Sequence, residues 1–331
     1  MITILFGIFY KKIISENNNE IFTNINCYAE SAIVMDVNSH RVLYSFNENI
    51  RLLPASITKI LTCITCLEYY DLNQIVIVGD EILNTEGSSI YLQKEDIITI
   101  EDLLYGLMLC SGNDAACVLS KVYSGNESDF IYLMNEMAKK IGMFNSTFEN
   151  ASGLDSKTKN YTTAYDMALL MSYAMKNEIF KKITSTKNYV ANLKNNRKLY
   201  FHNKHRLVNQ NLAIGGKTGY TKLAKRTLVS CFEKDNNQIV VVTFKCNDDW
   251  NFHKQISSYC FNKFEYNQLI SKFEINLNSK KNYLVTNLDL RFPHQKNEII
   301  NYEIINNYNS LTINYYLNNN KIGYKVISKK K

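Results

Sequence analysis

The sequence predicts a mixed α+β protein, α/β in the broad sense, ending in a small all-β region. Three observations carry this. Short alternating apolar runs with turn residues between them open the chain, apolar residues at helical spacing fill its middle, and alternation returns from about residue 227 onward. With 331 residues, 46% hydrophobic and 21% charged, the chain can bury one sizeable core and a smaller second unit.

The elements follow in order. Residues 2–10 are apolar but short, with no positive charge before them, and 15–20 are polar. Residues 1–28 read as a partial signal-like segment and linker, with an ordinary N-terminal segment as the alternative. Residues 31–36 and 41–46 form two predicted strands around the turn-prone 37–40. Pro54 precedes a helix in which Ile57, Ile60, Leu61, Ile64 and Leu67 recur at helical spacing. Thr99 with Asp102 starts a second helix carrying Leu103, Leu104, Leu107 and Met108. Ser128 is expected to cap a third, with Phe130, Leu133, Met134, Met137 and Ile141 on its apolar face and Gly142 as its stop. Thr163 with Asp166 opens a fourth. Residues 227–232 and 238–244 read as paired strands, and a last helix covers about 250–264. Beyond it, 273–277, 283–290, 299–305 and 311–317 are strand-like. The predicted domains are thus 29–264, holding the main core, and 265–331, small, basic and β-rich.

Charge and cysteines narrow the possibilities. The net charge is +7, and eleven Lys or Arg against five Asp or Glu place +6 of it between Lys263 and Lys331. Such a region fits an anionic wall polymer or membrane surface, or simply a solvated basic face. Neither zinc-finger spacing nor an aromatic RNA-binding motif accompanies it, so nucleic acid is not an expected partner. No run of about 18 apolar residues encodes a transmembrane helix. Cys63 and Cys66 form a C-x-x-C, but inside an apolar helical pattern and without a second ligand pair. They read as small buried hydrophobes.

Three short motifs carry chemistry. In Pro54-Ala55-Ser56-Ile57-Thr58-Lys59, Ser56 and Lys59 lie one helical turn apart on one face. A serine hydroxyl needs a base within reach, and a desolvated lysine can serve. Ser111-Gly112-Asn113 falls on a loop between helices. Ser111 can relay a proton to a leaving amine, and Asn113 can hold a substrate carbonyl and position Lys59. Lys217-Thr218-Gly219 opens a strand: Lys217 offers positive charge, Thr218 a hydroxyl, and Gly219 close approach for a peptide added along the strand edge. The pattern argues against a phosphate loop, because Asn211 stands where its first Gly is required and a strand follows. Ser-x-x-Lys, Ser-x-Asn and Lys-Thr-Gly together, in this order, are far more specific than any one alone.

In these motifs the sequence resembles the serine-type D-alanyl-D-alanine carboxypeptidases, the low-molecular-mass penicillin-binding proteins. The likeness extends to Ala32-Ile33-Val34-Met35-Asp36, Asn150-Ala151-Ser152-Gly153-Leu154-Asp155, Thr163-Ala164-Tyr165-Asp166 and Asn203-Lys204-His205-Arg206. It is strong over 29–264 and weak in the tail. The resemblance implies a β-lactamase/transpeptidase-like domain, with an antiparallel sheet flanked by helices and a helical subdomain. It implies that Ser56 attacks the penultimate D-Ala carbonyl of a peptidoglycan stem peptide, with Lys59 as base. Backbone N–H groups of Ser56 and Tyr220 would form the oxyanion hole, and Ser111, Asn113 and Lys217 the proton network. Thr218, with Arg226 as a further candidate, would hold the terminal carboxylate. β-Lactams would acylate the same serine, no metal or organic cofactor is implied, and the location would be extracytoplasmic, in the cell envelope. A β-lactamase would need a deacylating Glu-x-x-Leu-Asn string, which is not present. A D-Ala endopeptidase needs the same residues. An idle wall-binding protein would be expected to have lost one of the five catalytic positions.

Overall fold

Five antiparallel strands form the frame that carries the three motifs. The computed structural model describes residues 5–7, 28–268, 272–277, 280–285, 291–306 and 310–328. β1 (Ser31–Asp36) and β2 (Val42–Phe46) make the expected opening hairpin. A 3₁₀ turn, Ala55–Thr58, then runs into α1 (Lys59–Tyr69). α2 (Ile100–Tyr105) continues through a π-helical turn, Gly106–Cys110, before α3 (Asn113–Val122). α4 (Glu127–Ile141), α5 (Ala164–Ala174) and α6 (Glu178–Ser185) follow. The chain returns to the sheet as β3 (Gly215–Thr221), β4 (Lys225–Lys234) and β5 (Asn237–Phe244), then enters α7 (Asp249–Lys263).

The sheet order is β2-β1-β5-β4-β3, so the first strand pairs with the last. Ile239-Val240-Val241-Val242 of β5 is a continuous apolar run rather than an alternating one. The reason is cover on both faces: all four residues are fully buried, α5 packs on β1 and β5, and Phe252 of α7 meets Tyr44 of β2 edge-on. α5 is apolar nearly all round, with Ala164, Met167, Ala168, Leu170, Met171 and Ala174 inaccessible to solvent. Each such Leu or Met contributes roughly 1.5–3 kcal/mol relative to exposure. Cys63 and Cys66 are free thiols buried in α1, and burial raises both thiol pKa values. They serve as core side chains.

Helix starts follow the expected chemistry with one correction. Thr99 and Thr163 each accept a hydrogen bond from the backbone N–H three residues on, that of Asp102 and Asp166 respectively. Asp166 in turn accepts from Asn145 N at 2.9 Å and Ser146 Oγ at 2.6 Å. α4 is capped by Asn126 rather than Ser128. Asn126 has extended backbone and accepts from Ser128 N at 3.2 Å, whereas Ser128 is already helical. Asn caps as well as Ser, and the preceding turn ends two residues earlier than the apolar pattern indicates. Gly142 stops the helix at φ 96°, as expected.

Strand pairing beyond the sheet was only partly foreseen. Asn188–Asn192 pairs with Lys198–His202, and Ile75–Ile77 with Ile97–Thr99. The described residues form two compact units, one within Glu16–Tyr259 and one gathering Cys260–Lys331 with the strand Leu5–Gly7. In the second, Ile300–Asn306, Ser310–Leu317 and Asn320–Ser328 form a meander, with Leu5–Gly7 beside its last strand. Asn320–Ser328 escaped the pattern because Asn, Lys and Gly dilute its alternation; Glu265–Gln268 and Arg291–His294 are too short to show one. Residues 286–290 of the expected 283–290 strand and most of 1–28 lie outside the described residues. Among the described residues no helix is long and apolar enough to cross a membrane.

Thr163→Ala removes the cap of the central helix and is expected to cost about 1 kcal/mol. Denaturant unfolding of the whole protein measures it, with Thr163→Ser retaining most of the stability.

Candidate active site

The Ser56 turn is shaped by a close backbone approach. Ala55 has φ 50°, in the left-handed region that a residue with a Cβ seldom occupies. Its carbonyl oxygen would lie 1.9 Å from a Cβ placed on Gly153, which itself has φ 83°. Only glycine lets the 150–154 loop press against the turn. Asn150 Oδ1 holds that loop by accepting from Gly153 N at 2.7 Å and Ser152 N at 3.2 Å. Asn160 Nδ2 ties it to the helix by donating to Asn150 O at 3.0 Å and Thr58 Oγ1 at 3.1 Å.

Lys59 is fully buried, and its amine is gripped from two sides. Nζ donates to Asn113 Oδ1 at 2.6 Å and to Ser152 O at 2.6 Å, and lies 3.0 Å from Ser56 Oγ. A neutral amine has two N–H groups and one lone pair. With both N–H groups on carbonyl oxygens, the lone pair is left for the Ser56 hydroxyl proton. Burial pushes the Lys59 pKa well below its usual value, the positive charges of Lys217 and Lys204 push it further, and Asp114 opposes them.

The Ser111-Gly112-Asn113 corner comes from the π-helical turn, which ends with Ser111 at φ 62°. Its neighbour Asp114 is buried and accepts from Ser89 Oγ, Ile90 N and Leu92 N, docking the 88–92 loop onto the corner. Asn113 positions Lys59 as expected. Its Nδ2, however, donates to Glu86 O at 2.6 Å, so one of the two N–H groups assigned to a substrate carbonyl is already engaged.

β3 supplies the third motif. Lys217 is 1% exposed, and its Nζ donates to Thr218 O at 2.9 Å. Burial, then the charge of Lys204, lowers its pKa to about 7. Gly219 stands against the serine turn: a Cβ there would lie 2.9 Å from Ser56 N and 2.3 Å from Thr227 Oγ1. Ser56, Ser111, Thr218, Gly219, Tyr220 and Arg226 line one cavity of about 370 Å³. Lys59 reaches it through its 3.0 Å contact with Ser56 Oγ and holds Asn113, which lines a neighbouring cavity, and buried Lys217 precedes Thr218 on β3. All nine predicted site residues are thus brought together. Arg226 arrives with its charge partly engaged, in a two-point pair with Asp249: Nε to Oδ2 at 3.0 Å and Nη2 to Oδ1 at 2.6 Å. Among the described residues, no cluster of three or more His, Cys, Asp or Glu is disposed to hold a metal ion.

Comparison with known proteins agrees with this geometry. The family model for D-alanyl-D-alanine carboxypeptidase matches residues 17–248. The chain belongs to that family. It is 31% identical over 269 residues to the D-alanyl-D-alanine carboxypeptidase DacF of Bacillus subtilis, covering 76% of this chain and 69% of the relative. It is 32% identical over 255 residues to DacC of Escherichia coli, covering 72% and 62%. The crystal structure of the carboxypeptidase from Mycobacterium tuberculosis H37Rv superposes with a TM-score of 0.68 at 28% identity, covering 72% of this chain and 92% of that one. The Streptomyces K15 DD-transpeptidase gives 0.65 at 27%, covering 72% and 97%. The fold is therefore the penicillin-binding/transpeptidase fold, and the enzyme class is that of the serine hydrolases of this family.

Several contributors went unread in the sequence. The carbonyl of Ser152 carries no side-chain signal. Lys204 shows in the sequence only as part of a family-like string, yet its charge lowers the pKa of two other lysines, and its Nζ bonds Ser88 Oγ, also of the cavity lining, at 3.0 Å. Trp250 reads as the start of a helix, not as cavity wall, and Asp249 carries no signal of its own.

Lys204→Gln should raise the pKa of both Lys59 and Lys217, read from side-chain NMR titration of the lysines. The sign follows from linkage: a lysine depressed to about 7 in the fold is charged in the unfolded chain up to its ordinary range. Stability contributed by Lys217 therefore grows as pH rises above about 7, and the substitution reduces that growth.

Proposed function

We propose that this chain is a serine D-Ala-D-Ala carboxypeptidase, removing the terminal D-Ala from peptidoglycan stem pentapeptides through an acyl-enzyme on Ser56. The same serine is acylated by β-lactams. The observation that carries the reading is the buried Lys59 amine, 3.0 Å from Ser56 Oγ and held by Asn113 and the Ser152 carbonyl. Neutral Lys59 takes the Ser56 proton as Oγ bonds to the penultimate D-Ala carbonyl. Charge on the carbonyl oxygen meets the N–H groups of Ser56 and Tyr220, a niche kept open by the missing side chain of Gly219. Collapse breaks the C–N bond, and the leaving amine receives its proton through Ser111, beside the charge of Lys217. Thr218, supported by Arg226, holds the terminal carboxylate. Water then attacks the ester with Lys59 again as base, and Ser56 regains its proton.

Catalysis is assigned to the 29–264 domain. The substrate places the enzyme outside the cytoplasmic membrane, in the cell envelope. The basic 265–331 region suits contact with an anionic wall polymer or membrane surface.

A fluorescent penicillin is expected to label the purified protein covalently, Ser56→Ala to abolish labelling, and the unsubstituted enzyme to release D-Ala from a pentapeptide ending D-Ala-D-Ala. Labelling that persists in Ser56→Ala sinks the nucleophile; labelling without D-Ala release sinks the carboxypeptidase reading. Gly219→Ala should slow acylation on the order of 100-fold, the scale of losing an oxyanion donor, with circular dichroism unchanged.

A further inference from the structure

The cavity beside Ser56 holds more positive charge than one terminal carboxylate requires. Its lining includes Lys204, Arg206 and Arg226 against a single carboxylate, Asp249, which Arg226 already engages in its two-point pair. Among the described residues, the Lys204 amine bonds a neutral hydroxyl, Ser88 Oγ, and no carboxylate. Arg206 is exposed and makes no ion pair with any described residue. Its guanidinium lies 5.9 Å from the ring centre of Trp250, and Arg226 lies at the same distance from that ring. Buried His205 packs edge-on against the indole at 5.1 Å, and its own Nε2 is fastened to Ser230 Oγ at 3.0 Å. Trp250 is thus a fixed wall, flanked by two cations, in the same cavity as Ser56 and Thr218.

Size points the same way. About 370 Å³ falls in the range that receives a drug-sized ligand, and a departing alanine leaves much of it unfilled. A guanidinium resting on an aromatic ring loses water from one side and keeps its forked N–H donors for a planar carboxylate. We propose that Arg206 and Trp250 form an outer anion subsite that favours a leaving residue with a second carboxylate, an acidic D-amino acid, over D-Ala. This rests on the leaving residue entering the Thr218 side of the cavity, as in the proposed function. In it the first carboxylate meets Thr218 and Arg226, the second meets Arg206, and Lys204 adds charge at the rim.

Trp250 is the only tryptophan in the chain, so its emission reports this cavity alone. In the Ser56→Ala protein, N-acylated tripeptides ending D-Ala-D-Ala and D-Ala-D-Glu are titrated against tryptophan fluorescence. The D-Glu peptide is expected to bind at least ~tenfold tighter, the scale of one charge-assisted hydrogen bond, and to change the emission. Arg206→Gln should abolish the preference and Arg206→Lys restore part of it. Equal affinity for the two peptides, no binding of either, or a preference that survives Arg206→Gln overturns the subsite. D-Ala release by the unsubstituted enzyme judges the hydrolytic reading separately. Release without the carboxylate preference sinks the subsite alone, whereas selective binding without release sinks the hydrolytic reading and leaves the subsite standing.

Discussion

The fold turns on an amine that has no access to water. Lys59 opens α1 at full burial, where an unpaired ammonium would be prohibitive. Two carbonyl oxygens and one hydroxyl from three separate stretches of chain, 56, 113 and 152, surround it. Burial and the neighbouring lysine charges then favour the neutral amine, so the cost of the site becomes its reactivity. Each partner must arrive within hydrogen-bond distance, and most of the surrounding architecture can be understood as what delivers them.

Delivery depends on backbone more than on side chains. Gly153 and Gly219 admit two loop and strand segments to the Ser56 turn at separations where any Cβ would collide. Ala55 and Ser111 hold left-handed conformations immediately before or at candidate site positions, the kind of local strain that surrounding structure must hold in place. That support is visible as satisfied polar groups: Asn150, Asn160 and Asp114 each bind several backbone or side-chain donors and acceptors around the site.

Behind β3 lies a second buried polar chain. His205 Nε2 meets Ser230 Oγ at 3.0 Å, Ser230 Oγ meets His253 Nδ1 at 2.9 Å, and His253 Nε2 meets Thr243 Oγ1 at 2.9 Å. Burial lowers the pKa of both histidines, that of His205 to about 4, so the network stays neutral. It joins β4, β5, α7 and the turn before Arg206, and so ties the strand paired with β3 to the helix that carries Trp250.

The sequence by itself determined the family and the candidate site residues. Ser56, Lys59, Ser111, Asn113 and Lys217 were legible because each motif is local, with a spacing that a helix turn, a loop or a strand converts directly into side-chain direction. Helices α1, α2, α4, α5 and α7 and the central strands were legible for the same reason, since periodicity is a local property, whereas α3 and α6 went unread. Only the tertiary structure decided that Ser152 contributes a carbonyl, that Lys204 depresses two lysines, that Asn113 spends an N–H on Glu86, and that Asp249 engages Arg226. These depend on long-range closure, β1 on β5 and β3 beside the Ser56 turn, and on backbone atoms and charges whose identity is the same wherever they occur in a chain. Distance between residues far apart in sequence is set by packing, and packing is what one sequence, read alone, does not spell out.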